Sequence, residues 1–203
     1  GLQGTPVATE IYHSVRSMQT AARSVALDPN NDYGVALYTA ANLRRENRAE
    51  TAGVTDPVYG DQDRSPQFYA TAFGTSIGQQ VLALGLAAKD TALVRDALAA
   101  LAITTGDMGL FSGEAFGGPL RDALRYRDQR VRIEAAIIVA KAKPRTSFGA
   151  EAVVMGELSK AITGYGQPSA VVLAASEEDA QVASAGLVEA GYMVQASATS
   201  VEG

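Results

Sequence analysis

The sequence has 203 residues, of which 47% are hydrophobic and 6% aromatic, so it can bury the core of one or two domains. It contains no cysteine, which excludes disulfides, thiolate nucleophiles and cysteine-based zinc sites. The formal net charge of -5 disfavours a general nucleic-acid-binding surface, because such a surface must neutralise phosphates. No apolar run reaches the length of about 18 residues that a membrane-spanning helix needs.

The chain begins Gly-Leu-Gln-Gly without methionine or a signal peptide. This start predicts a segment excised from a longer protein, and a targeting segment could lie upstream. The absence of cysteine does not fix the compartment, for which the cytoplasm is the working expectation.

The first predicted elements form a helical hairpin over residues 1–48. Apolar side chains recur at spacings of three and four from Val7 to Val25, which is typical of one helix face. Asp28 and Pro29 end this helix, because proline cannot continue a helix and aspartate favours turns.

A second helix is predicted over about residues 33–47, with Asp32 as its N-cap. The phrase Ala-Leu-Asp-Pro-Asn-Asn at 26–31 precedes it and resembles the junction between tetratricopeptide (TPR) units. The resemblance implies that residues 1–48 form a TPR-like hairpin.

Residues 49–67 are predicted to form a long loop, because glycine, proline and charged residues replace the helical pattern. A loop of this length is above the usual connection length, and such loops are often functional or simply mobile. Tyr59 and Arg64 are its candidate contacts with a partner protein.

A period of thirty-eight residues organises residues 68–166. It relates Leu82, Leu120 and Leu158, then Leu86, Leu124 and Ile162, and in the first two copies Asp90 with Asp128, Leu93 with Val131, Ala97 with Ala135 and Leu101 with Val139. A fixed period of this size indicates stacked helix pairs. We therefore expect a mostly α chain, built as an α-α superhelix, with helices at about 77–87, 91–104, 119–125, 130–141 and 150–163.

The glycine-rich stretch 106–118 is predicted to connect two repeats. A phosphate-binding loop would need a preceding strand and a Gly-Lys-Ser/Thr ending, whereas here a helix precedes and Pro119 follows. Its apolar side chains either pack into the core or offer a contact patch. They are Met108, Leu110, Phe111 and Phe116.

Residues 120–142 resemble a HEAT repeat. The resemblance is carried by Leu120 and Leu124 on the first helix, Asp128 in the turn, and Val131, Arg132, Ala135 and Val139 on the second helix. The resemblance implies a ladder of contacts between the turn aspartate and a basic residue of the second helix in neighbouring repeats. In the preceding copy Asp90 matches the turn aspartate, but the basic residue Arg95 stands one position later than the pattern requires.

Two phrases precede the repeats, Asp-Pro-Val-Tyr-Gly-Asp at 56–61 and Arg-Ser-Pro at 64–66. With them, the chain resembles the HEAT-repeat proteins of planctomycete-type bacteria. The resemblance implies a surface for binding another protein.

Five arginines cluster around one repeat turn and are the main candidate partner contacts. They are Arg121, Arg125, Arg127, Arg130 and Arg132. They form either a solvated, salt-bridged face or a rim that grips an acidic partner. A shorter basic run contains Arg44, Arg45 and Arg48.

The pattern changes in residues 167–203. The apolar run 170–175 is short, β-branched and bounded by turn residues, which predicts a buried strand. A helix over 177–190, capped by Gly191, and a second strand over 192–196 complete a βαβ unit with parallel strands.

This unit resembles the first part of a response-regulator receiver domain. The family carries an acidic pair at the end of its first strand, which holds magnesium, but this chain has Ala174 and then Ala175 or Ser176 there. We expect a degenerate or truncated receiver that binds no metal. The acidic residues Glu177, Glu178 and Asp179 either substitute for the pair or merely favour a helix N-terminus.

Two free strand edges and an incomplete core would make such a unit prone to association. We expect it to pair with the same unit of a second molecule, giving a homodimer through the C-terminal strands, or to pack on the third repeat helix.

His13 is the only histidine. It is either a general base or metal ligand, or a surface residue of an amphipathic helix. Without cysteine or a convergent carboxylate motif, we expect no catalytic residues and no cofactor.

The favoured function is a non-catalytic scaffold that binds another protein. The alternative is a signalling sensor, in which the receiver-like end binds a ligand and the repeats relay the binding signal.

Overall fold

The computed structural model describes residues 6–104, 118–144, 149–164 and 169–199, and in these ranges the chain is mostly helical with a short two-stranded sheet. The helices are α1 (Thr9–Leu27), α2 (Asp32–Ala52), α3 (Pro66–Ala72), α4 (Gly74–Ala87), α5 (Thr91–Thr104), α6 (Pro119–Ala123), α7 (Gln129–Lys141), α8 (Glu151–Gly164) and α9 (Glu177–Glu189). The strands are β1 (Ser169–Ala174) and β2 (Met193–Thr199). The chain divides into two compact units, residues 1–155 and 156–203. Among the described helices, none combines the length and apolarity that crossing a membrane requires.

The predicted N-terminal hairpin is present as α1 packed along α2. Ile11, Val15 and Met18 form the buried stripe of α1, and the small residues Ala36 and Ala40 of α2 are equally buried. Small side chains let two helices approach closely, which explains why an alanine-rich sequence forms a dense hairpin.

The predicted N-cap of α2 is wrong by one residue. Asn31, not Asp32, caps the helix: its side-chain oxygen accepts a hydrogen bond from the backbone N–H of Gly34 at 2.9 Å, and its amide nitrogen donates to Ser24 Oγ at 2.8 Å. Asp32 is the first helical residue, where its negative charge interacts favourably with the positive end of the helix dipole.

The loop predicted over 49–67 is shorter in the structure. The second helix does not end near residue 47 but continues to Ala52, where Gly53 closes it with a left-handed conformation (φ 63°). The loop then ends at Ser65, whose side chain caps α3, and Pro66 occupies the first turn of that helix. The helix therefore begins at Pro66, which the prediction placed near the end of the loop.

The thirty-eight-residue period corresponds to equivalent core positions in the hairpins α4–α5 and α6–α7. Four of the paired apolar positions are buried to 3% exposure or less: Leu82 and Leu120, Leu93 and Val131, Ala97 and Ala135, Leu101 and Val139. In the pair Leu86 and Leu124, Leu124 is buried and Leu86 is half-buried. The turn aspartates are equivalent too. Asp90 accepts from the backbone N–H of Leu93, and Asp128 from those of Arg130 and Val131.

Glycines let α4 lie close to α5. A Cβ on Gly85 would stand 3.0 Å from Val94 Cγ2 and 3.2 Å from the backbone nitrogen of Val94. A Cβ on Gly78 would stand 2.9 Å from Leu101 Cδ2. Glycine has a low helix propensity, but a side chain at either position would push the two helices of the hairpin apart.

The period does not extend in the same way to α8. Leu158 is half-buried and Ile162 is 78% exposed, unlike their buried counterparts Leu120 and Leu124. The predicted inter-repeat stretch 106–118 lies outside the described residues except for Gly118.

The predicted βαβ unit is confirmed, but the prediction that its first strand is buried is wrong. In β1 only Val172 is buried, because α9 covers one face of the sheet and Val171 and Leu173 lie exposed. β1 and β2 are parallel, from Ser169 opposite Met193 to Ala174 opposite Thr199, with a register shift between Ala170 and Val171. The connecting helix α9 packs on both strands.

Candidate partner-binding groove

Three open hollows lie along α1, α2, α5 and α7. The first, of about 600 Å³ between α1 and α2, is lined among others by His13, Arg16, Thr20, Leu37, Arg44 and Arg48. The second, of about 320 Å³, is lined among others by Glu10, Arg44, Asn47, Arg48, Asp90 and Ala92. The third, of about 370 Å³, is lined among others by Asn47, Ala92, Arg95, Asp96, Glu134 and Ile137.

Adjacent hollows share lining residues, and we call the three together the second-helix groove. Arg44 and Arg48 line both the first and the second hollow, while Asn47 and Ala92 line both the second and the third. The groove follows the second helices of the three successive hairpins because α2 packs beside α5 and α5 beside α7.

A polar ladder ties these second helices together across the groove. Arg44 Nε on α2 donates to Asp90 Oδ2 at the start of α5 at 2.8 Å. One turn further, Asn47 Nδ2 donates to Asp96 Oδ2 at 2.6 Å. Each rung joins one hairpin to the next.

The third rung joins α5 to α7. Arg95 donates from Nε and Nη2 to Glu134 Oε1, both at 3.0 Å, in a forked geometry that charge-assisted pairs favour. Asp90 bonds to a residue of the preceding hairpin, and Arg132 donates to the backbone oxygens of Tyr126 and Arg127 within its own turn.

Two ionisable groups of the ladder have shifted pKa values. Burial raises the pKa of Asp96, and the hydrogen bond from Asn47 offsets part of that rise. The hydrogen bonds to Glu134 raise the pKa of Arg95, so its guanidinium stays charged. The groove therefore carries fixed charges held in defined positions.

The two ends of the groove differ in polarity. Among the described residues that line the first hollow, the ionisable ones are basic or histidine and none is acidic. The third hollow has an apolar floor instead, formed by Ala92, Leu98, Ala99, Ala102, Ile137 and Ile138. A partner would meet cations at one end and an aliphatic surface at the other.

The structure places the five predicted arginines around the α6–α7 turn, but only partly near the groove. Arg121 is half-buried on α6, Arg125 and Arg127 are exposed, and Arg127 Nη2 donates to the backbone oxygen of Lys89 at 3.5 Å. Arg130 reaches the groove, because its Nε lies 3.4 Å from Glu134 Oε1.

The other two predicted contacts belong to the loop between α2 and α3. Tyr59 is half-buried, and burial raises the pKa of its hydroxyl. Arg64 is exposed and its guanidinium carbon lies 5.3 Å from the centre of the Phe68 ring, a cation–π contact. The seven predicted residues therefore belong to two segments, the α6–α7 region and the loop between α2 and α3.

Sequence reasoning missed the pair that anchors this loop. Arg45 Nη1 and Asp56 Oδ2 are 2.7 Å apart, with both residues exposed by 6% or less. Asn42 supports the pair by accepting from Arg45 Nε at 3.1 Å and donating to Gln62 Oε1 at 3.2 Å. Asp56 stands just before a proline, which signals a turn but not a buried partner.

His13 lies on the exposed side of α1, where the Tyr12 ring meets it edge-on at 5.5 Å. In the described ranges, no group of three or more histidine and acidic side chains is arranged to hold a metal ion.

Comparison with known proteins gave no match: no protein-family model fits this chain, and no curated protein or solved structure is significantly similar to it.

Proposed function

We propose that this chain is a non-catalytic scaffold that binds another protein along the second-helix groove. The succession of three adjacent hollows along three hairpins carries the proposal, because a surface of that extent suits an extended partner better than a small substrate. The HEAT-like reading belongs to the same proposal and is supported by the equivalent buried positions and capping aspartates of the two repeats.

A binding role fits the way the groove uses its ionisable groups. Asp90 pairs with Arg44, Asp96 with Asn47, and Glu134 with Arg95. Carboxylates engaged in this way fix the helices relative to one another and are poorly placed to move protons during a reaction. Rigid helix positions lower the entropy that a binding surface loses when a partner docks.

The alternative role as a sensor has weaker support. Such a sensor would bind its ligand beyond the carboxyl ends of the strands. There, Ser176 caps α9 by accepting from the backbone N–H of Asp179, and its hydroxyl donates to the Asp179 carboxylate at 2.7 Å. Both side chains are satisfied within the helix cap.

Association of the βαβ unit is a separate part of the proposal. β1 pairs only with β2 in the described sheet, and its Val171 and Leu173 are 64% and 75% exposed. Parallel sheets are normally covered on both faces, so a second copy of the unit is the proposed cover.

Light scattering should give a dimer that Leu173→Lys converts to a monomer; a monomeric parent chain would refute homodimerisation.

Site-specific photo-crosslinking tests the binding role. A photoreactive amino acid at Ala99, an exposed position on the floor of the groove, should crosslink a protein from the source cells. The same amino acid at Ala83, exposed on α4 and outside the groove lining, is the matched control. Equal products from both positions, or none from Ala99, would refute the groove as the binding surface.

A further inference from the structure

We infer that the second-helix groove takes an acidic, aliphatic-bearing segment of a partner protein. Its carboxylates would sit against the arginines between α1 and α2, and an aliphatic side chain would sit on the alanine floor between α5 and α7. The inference rests on the proposed binding role and adds the chemistry of the partner.

Three arginines form the cationic end of the groove. Arg44 and Arg48 stand one helical turn apart on α2, which places their Cβ atoms about 6 Å apart. Arg16 lines the opposite wall from α1. Together they surround a hollow of about 600 Å³ whose lining holds no acidic residue among the described ones.

These guanidinium groups keep donors available for a ligand. Asp90 accepts from Nε of Arg44, and a guanidinium has further donors on its terminal nitrogens. Arg16 Nη1 donates to the neutral oxygen of Gln19 at 3.1 Å. Arg48 is exposed and makes no ion pair within the described part of the chain.

Two of the four hydroxyl groups that line the same hollow are already occupied as donors. Ser17 Oγ donates to the backbone oxygen of His13 at 2.8 Å, and Thr20 Oγ1 to that of Arg16 at 3.0 Å. The arginines supply the charged donors for an incoming anion, and they bind planar carboxylates in a forked geometry.

The remainder of the groove favours a peptide over a nucleic acid. Glu10, Asp90, Asp96 and Glu134 line the second and third hollows and would repel an uninterrupted phosphate backbone. A peptide can place its acidic residues at one end and change to apolar residues further along. The net charge of -5 on the whole chain points the same way.

The third hollow supplies the apolar half of the recognition. Ala92, Ala99 and Ala102 leave space that larger residues would fill, and the side chain of Ile137 is 38% exposed beside them. The carboxylates at the rim are held by Asn47 and Arg95, so a partner need not neutralise them. An aliphatic side chain would bury apolar surface there without leaving a charged group unpaired.

A displayed library of random peptides, sorted for binding to the fluorescently labelled full chain, tests this chemistry. The enriched peptides should carry net negative charge together with leucine, isoleucine or valine. Enrichment of neutral or basic peptides, or no enrichment over the unsorted library, would overturn the inference. It would also be overturned if a labelled single-stranded oligonucleotide bound more tightly than the best peptide.

Charge-reversal variants locate the site. In fluorescence anisotropy with the best peptide, Arg48→Glu and Arg16→Glu should each weaken binding by about tenfold or more, and added salt should weaken it further. Arg125→Glu, which reverses an exposed arginine in the α6–α7 turn, should change affinity by less than about twofold. Circular dichroism checks that all three variants are folded.

The results separate two failures. If the Ala99 crosslink forms but the peptide binds Arg48→Glu and Arg16→Glu normally, the groove binds a partner of another chemistry and the inference fails alone. If Arg125→Glu alone abolishes binding, the arginine turn is the site, and the groove and the inference both fail.

Discussion

At the scale of single residues, the buried pair Arg45–Asp56 shows how a polar stretch becomes ordered. Neither residue is distinctive in the sequence: Arg45 lies in a basic run, and Asp56 in a stretch rich in turn formers. Their 2.7 Å contact fixes the loop between α2 and α3 on the side of α2. Only packing reveals this pair, because it depends on which face of α2 the loop covers.

Replacing Asp56 with alanine should destabilise the protein by about 3–5 kcal/mol, because it leaves the charge of Arg45 buried without its partner. Urea unfolding followed by circular dichroism measures the loss. Asp61→Ala, an exposed aspartate in the same loop, is the control and should change stability by less than about 0.5 kcal/mol. Equal losses in the two variants would contradict the anchoring role of the pair.

The shifted pKa of Asp96 predicts how the stability of the protein depends on pH. Burial raises its folded pKa above the ordinary value of 3.8, so the folded state holds the proton more tightly than the unfolded state does. The contribution of this carboxyl to stability is therefore fully present below 3.8 and is lost as pH rises through the folded pKa. Asp96→Asn should gain stability relative to the parent chain across that window.

Urea unfolding of both proteins at several pH values measures this difference. The advantage of Asp96→Asn should be smaller near pH 3.8 than at neutral pH. A difference in unfolding free energy that stays constant with pH would show that the carboxyl is not perturbed by burial.

At the scale of elements, the sequence predicts those helices, strands and turns that depend on local or periodic patterns. The thirty-eight-residue period located the equivalent core positions of α4–α5 and α6–α7, and turn residues marked the βαβ unit. The end of α2 was misplaced because residues 49–67 were assigned to a loop by their composition as a whole, although residues 49–52 contain no helix breaker and the first one is Gly53. The groove was missed because its ladder joins residues that are 39 to 49 positions apart in the sequence, such as Arg44 and Asp90.

Close packing of α4 on α5 predicts opposite effects for two helical glycines. Gly85→Ala should destabilise the protein by about 1–3 kcal/mol, since the new methyl group would press on Val94 and its backbone nitrogen. Gly156→Ala in α8 meets no atom within 4 Å and should be neutral or stabilising by up to about 1 kcal/mol. Thermal unfolding compares the two, and a stabilising Gly85→Ala would contradict the close approach of the helices.

At the scale of the whole molecule, charge and architecture suit the proposed binding role. Stacked hairpins place α2, α5 and α7 side by side, and the polar ladder holds them in register. The resulting groove combines three arginines at one end with an alanine floor at the other. Such a surface has its charges fixed before a partner arrives, so less entropy is lost on binding.

Nuclear magnetic resonance titration tests this account most directly. The ¹⁵N-labelled chain is titrated with the best peptide from the display selection, and the shifts of backbone amide signals are followed. We expect the largest shifts at Arg44, Arg48, Ala92 and Ala99, which line the groove. Shifts confined to α4, α6 or the α6–α7 turn, with the groove amides unmoved, would contradict it.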